Sequence, residues 1–182
     1  MREAYFHEDD YCQVEILPVA NYEFCREQMG EIAEFSTKHD TGFGWTDMFV
    51  RSESPTSLKQ IGLTRAALES ELCLYLPKFD RVLTGYSTYR EECRNAIAFG
   101  AGTNFVLFAG FDSEYVSHLW LTIYGLTLTD MKLAHRAFAY LSRSHLLLAD
   151  WFMLALIVLA DTDAVARYLS EFQTESPMNE NA

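Results

Sequence analysis

The chain has 182 residues and a formal charge of −12, from 14 Lys and Arg against 26 Asp and Glu, and it is 49% hydrophobic and 14% aromatic. This content suits one packed domain and excludes a disordered chain. The charge repels phosphate backbones and anionic lipid, which argues against nucleic acid and membrane as partners and suits either a basic protein partner or plain solubility.

Met1-Arg2-Glu3-Ala4-Tyr5 lacks the apolar region of a secretory signal, so a cytoplasmic location is expected. Tyr11 to Leu17 alternates Cys12/Val14/Ile16 with Gln13/Glu15, the period of a half-buried strand, and Pro18 ends it. Asn21 caps a helix in which Cys25, Met29, Ile32 and Phe35 recur at helical spacing. A glycine-rich turn at Gly42-Phe43-Gly44 leads into β-formers, which predicts a strand over Thr46 to Arg51. Thr64 caps a second helix, Leu63 and Leu68 are spaced as a hydrophobic staple, and the helix stops by Pro77.

From Phe79 to Tyr124 short β-rich runs alternate with turn residues: Arg81–Thr84, Asn95–Phe99, Asn104–Ala109 and Val116–Tyr124. They predict an antiparallel meander, with Tyr89 to Arg94 as a candidate helical turn. In the last run Leu119/Leu121/Ile123 would face the core, and His118/Trp120/Thr122/Tyr124 the other side. Thr127 and Asp130 are spaced as a capping box for a third helix, with Met131, Ala134, Phe138 and Leu141 on one face.

Leu146 to Ala160 is the most apolar stretch. At 15 residues, with Asp150 inside, it is shorter than the roughly 20 residues of a membrane span. It reads as two central strands, Leu146–Asp150 and Leu154–Leu159, joined by a turn at Asp150 to Met153, although a helix also fits its periodicity. Asp161 or Asp163 caps a last helix with Val165, Tyr168, Leu169 and Phe172 inward. The prediction is a single α+β domain over residues 1–172, a mostly antiparallel sheet with a central meander and a C-terminal hairpin packed with about four helices. Residues 173–182 are read as a flexible tail.

No catalytic, cofactor or metal motif emerges. His7-Glu8-Asp9-Asp10 is the densest set of oxygen and nitrogen donors, yet it lacks calcium-loop spacing and the second histidine of a zinc helix, Tyr11 standing there. Gly85-Tyr86-Ser87-Thr88 lacks the second glycine of a nucleophile elbow. Cys12, Cys25, Cys73 and Cys93 form no C-x-x-C pair and read as thiols without disulfides. The candidate partner-binding residues are Glu8, Asp9, Asp10, Trp45 and Asp47, as an acidic patch and a loop tryptophan.

Three segments, Tyr5 to Glu15, Gly42 to Met48, and Leu148 to Trp151 continuing to Asp161 and Ala166 to Leu169, together resemble small bacterial immunity proteins, which neutralise polymorphic or contact-delivered toxins. The resemblance implies a non-enzymatic inhibitor, without cofactor, that binds a cognate toxin, and the acidic charge would suit a basic toxin domain. Two rival readings stand beside it. One is an enzyme whose site assembles only in space, using Asp9, Asp10 and His118; the other is a scaffold that dimerises through the hairpin or an open sheet edge.

Overall fold

Among the residues that the computed structural model describes, 1–43 and 46–174, the chain forms nine strands and four helices. In order they are β1 (Glu3–His7), β2 (Val14–Pro18), α1 (Tyr22–His39), α2 (Arg65–Leu72), β3 (Arg81–Gly85), β4 (Glu91–Glu92), β5 (Ala96–Phe99), β6 (Phe105–Asp112), β7 (Tyr115–Ile123), α3 (Leu128–Leu141), β8 (Leu146–Asp150), β9 (Ala155–Val158) and α4 (Thr162–Ser170). An antiparallel sheet runs β5-β6-β7-β2-β8-β9, and a smaller one runs β1-β3-β4. The α+β class and the C-terminal hairpin (β8 and β9) match the expectation, and so does the meander from β5 to β7, but Arg81–Thr84, expected as its first strand, lies in the small sheet beside β1 and parallel to it. No helix among the described residues is long and apolar enough to cross a membrane.

Strand alternation divides the interior into three cores. Odd-numbered residues of β6 and β7, such as Leu107, Leu119 and Leu121, join Ile16 and Leu148 in packing on Leu68, Phe138, Val165 and Leu169 of three helices. Their even-numbered neighbours Phe108 and Trp120 pack instead on Phe6 and Val82 of the small sheet. Farther along the same face, Leu17, Leu147 and Trp151 pack on Cys25 and Met29 of α1. One face is thus covered by helices and the other by two separate bodies, the small sheet and α1.

Three helix caps fall where the sequence puts them, but Asn21, before α1, makes no side-chain cap bond: its amide bonds the Thr56 N–H and carbonyl instead. Thr64 accepts from the Ala67 N–H, Thr127 and Asp130 close a capping box, and Asp161 accepts from the Ala164 N–H. The hairpin turns on Asp150, whose Oδ1 accepts from the Phe152 and Met153 N–H groups at 3.0 and 2.9 Å. Its Oδ2 accepts a 2.8 Å bond from the Tyr168 hydroxyl on α4. Buried to 2% exposure, this carboxylate spends its acceptor capacity on its own turn and on the helix that covers it.

Several expectations need correction. Residues Thr46 to Arg51 form a loop and not a strand: Thr46 N–H returns to the His39 carbonyl, Asp47 caps the Met48 N–H, and Met48 and Val50 project outward with no strand beside them. Tyr11 to Gln13 belong to a turn, with Cys12 at φ 55°, so that strand begins at Val14. Tyr89 to Arg94, a candidate helical turn, holds instead the two-residue strand β4. Trp120 and Thr122 are buried because β1 lies over them, a strand that alternation with the partly exposed Tyr5 and His7 did not announce. Of the hairpin, β8 is interior but β9 is the sheet edge. Gln173 bridges to Leu126, and the Thr174 N–H bonds the Leu126 carbonyl, so the chain is held through Thr174; residues 175–182 of the expected tail lie outside the described residues.

Burial, and then the Asp150 carboxylate, raises the Tyr168 hydroxyl well above the ordinary tyrosine value. The folded chain keeps this proton where the unfolded chain loses it. The stabilisation is therefore whole below about pH 10 and drains as pH rises further. Tyr168→Phe is expected to lower stability by about 1–3 kcal/mol at neutral pH, because it leaves a buried carboxylate oxygen unpaired. It should also flatten the alkaline fall of stability, which one such group steepens by up to about 1.4 kcal/mol per pH unit. Urea denaturation from pH 7 to 11 measures both effects.

Candidate protein-binding site

The main sheet is barely closed at its middle. Between β2 and β7, Glu15 opposite Trp120 is the one registered pair among the described residues, whereas β2 and β8 are registered over five pairs. On either side of this pinch the strands part, and each side holds a cleft.

Glu15 sits at the pinch. Its Oε1 accepts from Arg51 Nη1 at 2.8 Å and from the Trp151 indole N–H at 2.7 Å, while Arg51 also lies over the Trp151 ring at 4.4 Å and donates to the Cys12 carbonyl. This cluster ties the loop after α1 to β2 and to the turn after β8, and walls the first cleft, a cavity of about 530 Å³. His118 and Tyr11 lie in that cleft with their rings 5.8 Å apart. Burial, ahead of the nearby Glu15 carboxylate, pushes the Cys12 thiol up to about 12, so it is held as the unreactive thiol.

The second cleft, about 820 Å³, runs along the parted edges of β2 and β7. Consecutive residues Leu121 to Gly125 line one side and Gln13 and Val14 the other, so it is a slot between strand edges and not a dish on one face of the sheet. Every charged residue lining it is an acid: Asp9, Asp10, Asp150 and Glu171. At its lip Phe152 is 87% exposed and Met153 45%, an unusual degree of exposure for a large apolar side chain.

Two acids of the predicted patch, Asp9 and Asp10, line this slot. Glu8 to Asp10 is a single 3₁₀ turn after β1, closed by mutual capping: His7 Nδ1 accepts from the Asp9 N–H, and Asp10 Oδ2 accepts from the His7 N–H. Asp10 Oδ2 also accepts from the Tyr124 hydroxyl at 3.2 Å, which bridges the turn to the end of β7. Burial, and then Asp10, raises the Tyr124 hydroxyl above its usual value, so it stays a donor. Asp10 and Tyr124 line a further cavity of about 390 Å³ with Tyr5 and His7, which makes the turn a ridge between two hollows.

Asp9 and Asp10 are thus brought together with the hairpin tip, and Glu8 is exposed on the same turn. Asp47 is exposed in the loop after α1 and lines neither cleft, and Trp45 lies outside the described residues. His118 opens into the first cleft and Asp9 and Asp10 into the second, so these three do not share a cavity. Among the described residues no group of three or more His, Cys, Asp or Glu side chains is placed to hold a metal ion. Phe152, Met153, Tyr124 and Glu171 escape a motif search; the one available signal was two apolar residues at a turn. No family model, curated protein or solved structure matches the chain.

Thiol chemistry checks the first cleft. With Cys73 exposed, Cys93 half-buried and raised by burial, and Cys12 and Cys25 buried and pushed up to about 12, a disulfide reagent at pH 8 should label Cys73 quickly, Cys93 more slowly, and the buried pair only after unfolding. Cys73→Ser should abolish the fast phase, read as released chromophore against time.

Proposed function

We propose that this chain is a non-enzymatic, immunity-type protein that binds a cognate bacterial toxin domain of basic charge and neutralises it by covering its working surface. The observation that carries this reading is the slot between β2 and β7, whose charged lining is wholly acidic and whose lip presents Phe152 to solvent. Desolvated aromatic anchors dominate protein interfaces, and acids around them attract a basic partner and repel an acidic one. The net charge of −12 acts in the same direction at longer range. The resemblance of the three sequence segments to immunity proteins supplies the toxin as the partner.

Co-expression with the toxin encoded beside this chain is expected to restore growth, and the two proteins should purify together. Reversing the two outermost acids with Glu8→Lys and Asp9→Lys should slow association about tenfold at low salt, and added salt should erase most of that difference. Growth curves and stopped-flow association measure these outcomes. A toxin that still kills and does not co-purify would remove the reading.

A further inference from the structure

We propose that the slot between β2 and β7 seats an extended segment of the partner chain, in which an apolar side chain packs against Phe152 and Met153 while a flanking Lys or Arg meets Asp9 and Glu171. This deepens the reading of the chain as a binder of a basic protein, and rests on it.

The shape argues for an extended chain. Leu121 to Ile123 of β7 and the two residues after them line one wall, so the opening runs along that strand, and Gln13 with Val14, the first residue of β2, lines the other. The strands remain pinned together at Glu15 and Trp120, which closes the opening at that end. The lining argues for the anchor, because Val14, Leu121 and Ile123 form the apolar floor and Phe152 stands at its edge. The charges argue for the flanks. Asp150 is satisfied by Tyr168 and its own turn, and Asp10 by Tyr124 and His7, whereas Asp9, on the turn after β1, and Glu171, at the end of α4, are exposed acids in the lining. A cationic side chain at either end of a seated segment would therefore gain a carboxylate without displacing an internal bond.

Three short fluorescein-labelled peptides on a Gly/Ser background test this by polarisation titration. One carries Lys residues around a Leu-Phe pair, the second has Glu in place of Lys, and the third has Ser in place of Leu and Phe. The first is expected to bind saturably, and each of the others about tenfold more weakly. Phe152→Ser and Glu171→Lys, both at exposed positions, should weaken the first peptide by about three- to tenfold, whereas Glu27→Lys on the exposed side of α1 should not. Equal binding of the Lys and Glu peptides, no saturable binding, or an equal loss with Glu27→Lys would overturn the proposal. Toxin neutralisation without peptide preference would remove the slot and leave the immunity reading. Peptide preference without neutralisation would do the reverse.

Discussion

Glu15 stands where the two halves of the main sheet barely meet, and its carboxylate fixes β2 to the loop after α1 and to the turn after β8. The meander lies on one side of the pinch and the β2, β8 and β9 ribbon on the other, and Glu15 stands opposite Trp120 at the single registered pair. A carboxylate in such a site is expensive to desolvate unless its lone pairs are used. Arg51 and Trp151 both bond its Oε1 at 2.8 Å or less, and charge-assisted bonds of this kind contribute about 1.5–3 kcal/mol each. The helix-facing core runs beneath both halves without a break, so the sheet can part above it and stay folded. The clefts follow from that division of labour: a continuous core on one face, and two separate covers on the other.

Local structure was legible because local chemistry determines it. Thr64, Thr127 with Asp130, and Asp161 cap helices wherever they precede an apolar periodic run, and Asp150 makes a hairpin of a run whose periodicity fits helix equally well. Non-local structure was not legible. The strand Glu3–His7 pairs in parallel with Arg81–Gly85, nearly eighty residues away, and no pattern inside either segment names its partner. That one pairing buries Trp120 and Thr122, which alternation alone would leave on an open face. Thr46 to Arg51 shows the opposite failure: its β-formers have no neighbouring strand, and a β-former without a cross-strand partner is only a loop residue.

The site was legible by charge and not by shape. Glu8, Asp9 and Asp10 announce themselves as adjacent acids, but their relation to Phe152 and Glu171 depends on β2 carrying the first turn across to the hairpin, a distance of about 140 residues in sequence closed by five registered pairs. The same topology separates His118 from Asp9 and Asp10. A strand with both edges occupied can send a side chain to one cleft only, and the pinch lies between the two.

The acids around the slot differ in what contact with a partner would cost them. Asp10 and Asp150 already accept from Tyr124, His7, Tyr168 and the backbone, so their positions are fixed before any partner arrives and little conformational entropy remains to be lost. Asp9 is steadied by His7 and stays exposed, and Glu171 sits at the end of α4 with its carboxylate in solvent. Fixed inner acids set the potential of the slot, and outer acids remain free to complete a bond. Affinity would then depend more on burying Phe152 than on the number of ion pairs at the lip, because solvent-exposed pairs contribute little once salt screens them. The charge of the chain selects which partner approaches, and the apolar edge of the hairpin determines how long it stays.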